Sequence, residues 1–565
     1  MVKKFIVVGG VAGGASVAAR IRRLDENASI TIYDKGKDIS FSNCCLPNFF
    51  SGEVDKIENL IFYNPESFKT TYNLDAKTSC EVTEIDSINH KIKVLDIESG
   101  SEFEDSYDYL ILSPGAKAIK PKSIKGVDSE HVFTLKNVND VRFIESYLDS
   151  NKVEDIVVVG GGFIGVEIAE CLKTSGKKVT LVEASSQIMM PFDDDMVQML
   201  HKELLDNEVD LILEDAVNEI SNNDVLLSSG KRLPAQAVIM AIGVQPDIAF
   251  AEKSGVVLGE TGAIAVNHNY ETSLKDVYAV GDAIEVSHLI TGEKTRLPLA
   301  GPAQKQARNV ADALFGKMSR NKGVIGSSCI RVFGMNAAST GFNEKDCQKR
   351  QIDYRTVYVI PNDRVGIMPE ACPMHLKVIY QYPSGKILGG QAISKGNPIK
   401  NINVLATVIS MGGTLDDLKD LELCYAPAFS TAKDPVNFAG IVGLNQLHNV
   451  YQQVPMSHVR ELVNSKAFIL DVRGKSAFEK AHIKGAVNIP LDEIRQRLDE
   501  IPKDRTVYIH CRTSWNSYYA ICALKGYGYN NIINIQGSFL GLSYHEYFKD
   551  MTTQRESILT NYNFN

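Results

Sequence analysis

Two cysteines stand side by side in Ser40-Phe41-Ser42-Asn43-Cys44-Cys45-Leu46-Pro47, at the expected start of a helix. A thiol at a helix N-terminus has its thiolate favoured by the positive end of the helix dipole, which lowers its pKa and makes it a nucleophile towards other sulfur atoms. The alternative is a buried structural thiol. A third cysteine of interest, Cys511, ends the strand-like run Val507-Tyr508-Ile509-His510. The other seven, Cys80, Cys171, Cys329, Cys347, Cys372, Cys424 and Cys522, read as small hydrophobes of the core. The ten cysteines form no C-x-x-C pair of the kind that binds zinc or runs dithiol exchange, so no metal site is expected.

Two segments run from strand through a glycine turn into a helix. One is Lys4-Phe5-Ile6-Val7-Val8 followed by Gly9-Gly10-Val11-Ala12-Gly13-Gly14; the other is Ile156 to Val159 followed by Gly160-Gly161-Gly162-Phe163-Ile164-Gly165. Glycines at such a turn let the backbone approach a pyrophosphate, and the helix N-terminus offers it unpaired N–H groups. The second copy is complete at Gly160, Gly162 and Gly165, whereas the first has Val11 in the middle position. Each unit continues to a strand that ends in an acid, Asp34 or Glu183, roughly twenty residues past the glycines, where it can hold an adenosine ribose. Glu183 would accept from a free 2′-hydroxyl and repel a 2′-phosphate, so NADH is preferred over NADPH. Two dinucleotide sites imply a relay from nicotinamide to a tightly held flavin, with the final acceptor beside the flavin.

A chain of 565 residues is too long for one core, and three or four domains are expected. With 44% apolar and 23% charged residues, the balance is that of a globular protein. The formal charge of −9 is spread without blocks, which gives no electrostatic case for nucleic acid or a membrane surface. The N-terminus lacks a signal-peptide pattern and no later apolar run reaches the ~20 residues needed to span a bilayer, so a cytoplasmic protein is expected. Val277-Tyr278-Ala279-Val280-Gly281-Asp282 reads as the chain returning to the first nucleotide domain. From about Gly326 the pattern becomes that of a separate α+β domain, and a helix-strand alternation restarts near Gln452 and runs through Cys511.

With these motifs the chain resembles the single-cysteine flavoprotein disulfide reductases, specifically coenzyme A disulfide reductases in the form that carries a C-terminal rhodanese domain. The resemblance rests on Ser40-Phe41-x-Asn43-Cys44-x-Leu46-Pro47, Leu112-Ser113-Pro114-Gly115-Ala116, Ala241-Ile242-Gly243-x-x-Pro246, Gly281-Asp282, Leu299-Ala300-Gly301-Pro302-Ala303, and Tyr425-Ala426-Pro427 with Lys433-Asp434. It implies an α/β fold with two Rossmann-like dinucleotide-binding domains, an α+β dimerisation domain and a C-terminal α/β rhodanese-like domain. The FAD domain would take 1–112 and 245–322, the NAD(P)H domain 113–244, the dimerisation domain 323–446 and the rhodanese-like domain 452–565. Gly9, Gly14, Asp34, Asp282 and Gly301 would contact FAD, and Ser113, Gly115, Gly243 and Ala300 would line the cofactor sites. Gly160, Gly162, Gly165 and Glu183 would hold NADH. Arg20 and Arg23 would reach the anionic end of coenzyme A, Ser40 and Asn43 would line the approach to the thiol, and Tyr425 and Lys433 would come from the partner subunit of a homodimer. The implied reaction is attack by the Cys44 thiolate on coenzyme A disulfide, coenzyme A persulfide or polysulfide, giving a mixed disulfide that NADH resolves through the flavin.

Three departures qualify the resemblance. Position 45 is Cys where the family has Gly or Ala; a Cys44–Cys45 bond is disfavoured because adjacent Cα atoms lie ~3.8 Å apart, below the usual ~4.4–6.8 Å. Ile367-Met368-Pro369-Glu370-Ala371 replaces the family's Tyr-Tyr-Pro-Gly-Ala, so Ile367 cannot donate a proton to the reacting sulfur. Around Cys511 the usual Cys-x-x-Gly-x-Arg reads Cys511-Arg512-Thr513-Ser514-Trp515-Asn516, which leaves Cys511 either a sulfane-sulfur carrier or part of an inactive docking domain. Two other classes compete. An NADH oxidase or peroxidase working through a Cys44 sulfenic acid would carry His where Ala12 stands. A sulfurtransferase would centre on Cys511.

Overall fold

The apolar run Lys4–Val8 becomes the middle strand of a five-stranded parallel sheet in the order Val277–Ala279, Tyr109–Leu112, Lys4–Val8, Ser29–Tyr33, Asp75–Lys77. Helices cover both faces of such a sheet, which is why its strands are apolar without alternation; Phe5, Ile6, Val7, Ile32, Leu110 and Ile111 are all fully buried. A second parallel sheet runs in the order Lys178–Val182, Asp155–Val159, Ala237–Met240, Val132–Phe133. Each glycine turn leaves the C-terminal end of a strand and enters a helix, Ala12–Leu24 in one sheet and Phe163–Thr174 in the other.

This computed structural model describes residues 2–318 and 321–564. The chain divides into two units: Met1–Ser186 with Ile212–Val324, which holds both parallel sheets just described, and Gln187–Leu211 with Ile325–Asn565. In the second unit a five-stranded antiparallel sheet runs Ser328–Val332, Met335–Gly341, Ile387–Ser394, Met374–Gln381, Tyr354–Val359. Helices Ile399–Met411 and Pro435–Leu447 pack against it. A further parallel sheet follows in the order Gln452–Val454, Ile532–Ile535, Val507–His510, Phe468–Asp471, Val487–Asn488.

Lys377 ties part of this second unit together. Its ammonium is fully buried and lies 3.1 Å from Asp193, 2.7 Å from Asp195 and 2.5 Å from Glu344. These three carboxylates have the spacing of a cation site, and Lys377 supplies the positive charge among them. Next to this cluster, Lys549 on helix Ser538–Thr553 pairs with Asp194, and Phe548 meets His201 on helix Asp194–Asp206 with ring centroids 4.9 Å apart.

Among the described residues no helix is long and apolar enough to cross a membrane. The expectation of seven core cysteines holds for Cys80, Cys171 and Cys347, which are buried; Cys372 is intermediate. It fails for Cys329, Cys424 and Cys522, which are exposed in the single chain. Cys329 shows why: it points to the open face of strand Ser328–Val332, whose burial alternates.

Candidate active site

The two glycine turns have the same close approaches. A Cβ on Gly14 would lie 1.8 Å from the Gly9 carbonyl oxygen, and one on Gly165 would lie 1.8 Å from that of Gly160. Gly9 and Gly160 adopt φ of +95° and +110°, conformations that L side chains rarely reach. Gly9 also passes so near Ser113 that a Cβ would come within 2.1 Å of its carbonyl oxygen. Val11 takes the middle position of the first turn and caps helix Ala12–Leu24 without a side-chain bond. The helices starting at Phe163 and Ala300 likewise lack side-chain caps, whereas those starting at Pro65, Val138, Glu344 and Leu415 are closed by capping boxes. At Ala12, Phe163 and Ala300 the first N–H groups are free of a side-chain cap and so open to a ligand. Ala300 and Gly301 form one such terminus, and Gly115 and Gly243 occupy positive-φ turns at +72° and +125°.

A cavity of about 390 Å³ is lined by Ala116, Val244, Pro246, Thr261, Asp282 and Arg296, among others. Thr261 Oγ1 is buried there without a hydrogen-bond partner among the described residues. An orphaned hydroxyl, an uncapped helix start and a glycine cradle together fit a flavin dinucleotide in the first turn; Gly162, where a Cβ would meet open space, fits a second dinucleotide.

Cys44 lies in the single turn Asn43–Cys45 ahead of the five-residue helix Leu46–Phe50, and it is exposed. Its pKa is nonetheless raised, first because neighbouring protein partly desolvates the thiol and next because of the Glu167 carboxylate; Lys136 opposes the shift and Asp282 adds to it. The dipole-lowered pKa expected from the sequence is thus not found. A five-residue helix offers a weak dipole, and the charge that acts most on the thiol, Glu167, is negative. Glu167 is itself pushed up to about 7 by burial and by Glu170.

Lys136 was not foreseen from the sequence. Asn43 Nδ2 donates to its carbonyl at 3.0 Å, and its ammonium lies 3.4 Å from Asp282 Oδ2. Asp140, in the capping box of helix Val138–Ser150, holds the Lys136 N–H at 2.6 Å and so fixes the residue's place. Cys44, Asn43, Asp282, Lys136 and Glu167 therefore form one cluster. The sequence signal for Glu167 is its position two residues past Gly165; no local pattern marks Lys136.

The residues assigned to coenzyme A are less uniform. Ser40 sits at φ +51° and its N–H donates to the Gly10 carbonyl at 2.8 Å, which docks the thiol segment on the first glycine turn. Arg23 is exposed. Arg20 is held by Asp312 through its Nε at 2.9 Å and its terminal nitrogen at 2.5 Å, so it has only its remaining donors to offer. Arg22, between them, donates to the carbonyls of Tyr72, Asp25, Glu26 and Asn73 and serves the fold. Tyr425 and Lys433 lie in the second unit, both exposed, as is Ile367 at 90%.

Cys511 is buried at the end of strand Val507–His510. Its N–H donates to Ser538 Oγ at 3.3 Å, and that hydroxyl is 2.9 Å from Ser514 Oγ. Ser514 adopts φ +69°, the left-handed conformation for which the usual glycine would be suited. The turn thus survives the loss of glycine. Buried Asp471 accepts from Arg473 and lies 3.6 Å from His510 Nε2, while the Arg473 guanidinium covers the Phe539 ring at 3.9 Å. Arg512 is exposed as a residue, yet its guanidinium end is desolvated and near Arg473, which pulls its pKa down. Asn516, in the place of the usual arginine, is exposed.

Residues 3–307 match the pyridine nucleotide-disulphide oxidoreductase family, 328–435 its dimerisation domain and 456–544 a rhodanese-like domain. The chain belongs to the pyridine nucleotide-disulphide oxidoreductase family, whose members use FAD and NAD(H), and it is an oxidoreductase with a C-terminal rhodanese-like domain. Within that family it is 33% identical over 438 residues to the coenzyme A disulfide reductase of Staphylococcus epidermidis, covering 77% of this chain and 99% of the relative. The reduced CoADR-RHD of Bacillus anthracis superposes with a TM-score of 0.93 at 39% identity, covering 96% of this chain and 98% of that one. The NAD-dependent persulfide reductase of A. fulgidus gives a TM-score of 0.90 at 34% identity, with 95% and 99% covered. The expected fold class and family stand.

Proposed function

We propose that the protein is an NADH-dependent reductase of coenzyme A disulfide, coenzyme A persulfide or polysulfide, with Cys44 as its redox thiol. One observation supports the reading: Asn43, beside Cys44, bonds to Lys136, whose ammonium meets Asp282 in the wall of the cavity assigned to the flavin, and the thiol's electrostatics also include Glu167 on the helix after the second glycine turn. This supports a thiol standing where the two proposed cofactor sites converge. Gly9, Gly14, Asp34, Ser113, Gly115, Asp282, Ala300 and Gly301 are proposed to hold FAD, and Gly160, Gly162, Gly165, Glu183 and Gly243 to hold NADH.

Cys44, as thiolate, attacks one sulfur of the substrate. The substrate S–S bond breaks, a bond from Cys44 to that sulfur forms, and the other half leaves as a thiolate that takes up a proton. With coenzyme A persulfide, the leaving group is hydrosulfide and coenzyme A stays on Cys44. Bound FAD and NADH supply the two electrons that free the second thiol. Lys136 offers its positive charge to the thiolate and to the departing anion, and Asn43 keeps Lys136 in place. The dimerisation domain supports a homodimer in which Tyr425 and Lys433 serve the partner's coenzyme A site. The free thiols and coenzyme A chemistry support a cytoplasmic setting.

The test is anaerobic NADH oxidation by the flavin-loaded protein with each of the three substrates. Cys44→Ser should abolish turnover of all three. Undiminished rates, or a purified protein that takes up no flavin, would overturn the reading. A second role is proposed for Cys511, as a carrier that accepts sulfane sulfur, because the turn around it is kept by Ser514 and Ser538. Cys511→Ser should then lower turnover of persulfide donors while coenzyme A disulfide is still reduced.

A further inference from the structure

Cys45 takes no part in the reaction proposed for Cys44, yet it stands exposed beside it, and both thiols are free. The turn that carries them is anchored on each side. Asn43 Nδ2 donates to the Lys136 carbonyl at 3.0 Å, and the residues that follow, Leu46 and Pro47, are buried at the start of helix Leu46–Phe50. Within the turn the Cys45 N–H reaches the Ser42 carbonyl at 3.3 Å. Two thiols are thus presented outward from one fixed piece of backbone. No other two of the ten cysteines are neighbours in the chain.

Successive residues of such a turn point roughly 100–120° apart about its axis, which opposes closure of their sulfur atoms to the ~2.05 Å of a disulfide. A single atom bonded to both sulfurs relieves that constraint, because it lengthens the sulfur-to-sulfur span and enlarges the ring by one member. Zinc does not suit the place: it takes four ligands, and among the described residues no group of three ligating side chains includes either cysteine. Trivalent arsenic that already carries one organic group needs two sulfur atoms and no more. We propose that Cys44 and Cys45 form a chelating site for monosubstituted trivalent arsenicals, soft oxides of the type R–As=O that favour thiolate ligands. Two S–As bonds form, the As=O bond and two S–H bonds break, and the oxygen leaves as water with both protons; arsenic stays trivalent and nothing is oxidised or reduced. The raised pKa of Cys44 is no obstacle to this step, since its proton departs with the oxygen. Bridging also occupies the thiol assigned to catalysis and so shuts the reductase, a consequence that rests on the role given to Cys44, whereas the chelate itself does not.

The probe is phenylarsine oxide, added in equimolar amount to the flavin-loaded full chain after reduction and removal of the reductant. Peptide mass spectrometry should find one phenylarsenic group bridging Cys44 and Cys45 in a single peptide. Excess 2-mercaptoethanol should leave it in place and 2,3-dimercaptopropanol should strip it, since only a second chelator competes with a chelate. Cys45→Ala and Cys44→Ser should each lose the group to the monothiol, with retention weakened by about a hundredfold. Cys522→Ala, which removes an exposed single thiol, should hold it as the parent does. A phenylarsenic group mapped to another cysteine, or held against the monothiol as firmly by Cys45→Ala as by the parent, would overturn the proposal. NADH oxidation by coenzyme A disulfide, taken relative to each protein's own rate without the arsenical, separates the two readings: a bridged protein that still turns over removes Cys44 from the redox role and leaves the chelate standing.

Discussion

Asp34 and Glu183 hold their glycine turns by the same pair of bonds. In each, one carboxylate oxygen accepts from the N–H of the turn's second glycine, Gly10 or Gly161, at 2.7 Å, and the other accepts from the N–H two residues on, at Gly36 or Ser185, again at 2.7 Å. The acid therefore braces the turn before any nucleotide arrives. A carboxylate has lone pairs beyond these two bonds, so it can still accept from a ribose hydroxyl.

Coenzyme choice should follow from that geometry. Glu183→Gln removes the charge that repels a 2′-phosphate and keeps an acceptor for Gly161. The preference for NADH over NADPH should fall about tenfold, which corresponds to ~1.4 kcal/mol. Comparing kcat/KM for the two coenzymes checks this. An unchanged ratio would mean that another residue sets the choice.

The cradles were legible because glycine spacing and a strand-ending acid are local features, and local features survive in one dimension. The Cys44 environment was not. Lys136 and Glu167 meet the thiol only after two separate strand-helix units have folded; burial and Glu167 raise its pKa there and Lys136 opposes them. The same holds for Lys377, which looks like one polar residue in an apolar strand until Asp193, Asp195 and Glu344 are brought to it from two other segments. At position 514 a serine replaces the usual glycine, and only the backbone shows that the left-handed conformation is kept with it.

The thiol's pH response should reveal Glu167. Its negative charge raises the Cys44 pKa and the Lys136 charge lowers it. Glu167→Gln should therefore move the rise of thiolate reactivity to lower pH, and Lys136→Met to higher pH. Iodoacetamide labelling of Cys44 between about pH 6 and 10, read by peptide mass spectrometry so that Cys45 is counted separately, measures both shifts. Opposite signs would remove Glu167 and Lys136 from the electrostatics of the site.

Lys377→Met should be costly to the second unit. It leaves three carboxylates facing one another in a desolvated place, a loss of about 3–5 kcal/mol for a broken buried pair. The sign of its pH dependence is fixed. Asp195 is already raised to about 6, mainly by burial, and without the ammonium its folded-state value rises further above that of the unfolded chain. Folding then takes up protons, so the variant's stability is present at low pH and is lost as pH rises through that value. Its deficit in Tm relative to the parent should be larger at pH 8 than at pH 5.5.

Cys45 should be dispensable. It is exposed beside Cys44 and both thiols are free, and a bond between neighbours would need a geometry the backbone resists. Cys45→Ala should keep NADH oxidation by coenzyme A disulfide within about twofold of the parent. A loss as deep as that of Cys44→Ser would show that the pair works as a dithiol.

Finally, the Cys511 loop should be able to regain an inorganic donor. Ser514 already holds the turn, and its hydroxyl bonds to Ser538, which in turn accepts from the Cys511 N–H. What the loop lacks is a cation at position 516, where Asn516 is exposed and neutral. A dianion such as thiosulfate gains most from that missing charge, since a hydrogen bond to a charged group is worth about 1.5–3 kcal/mol. Asn516→Arg should therefore raise thiosulfate-to-cyanide sulfur transfer by roughly ten- to a hundredfold. Cys511→Ser in the same background should abolish the gain. Ser514→Gly, which frees the left-handed turn but removes the bond to Ser538, should give no comparable increase by itself, because the deficit lies in charge and not in backbone shape.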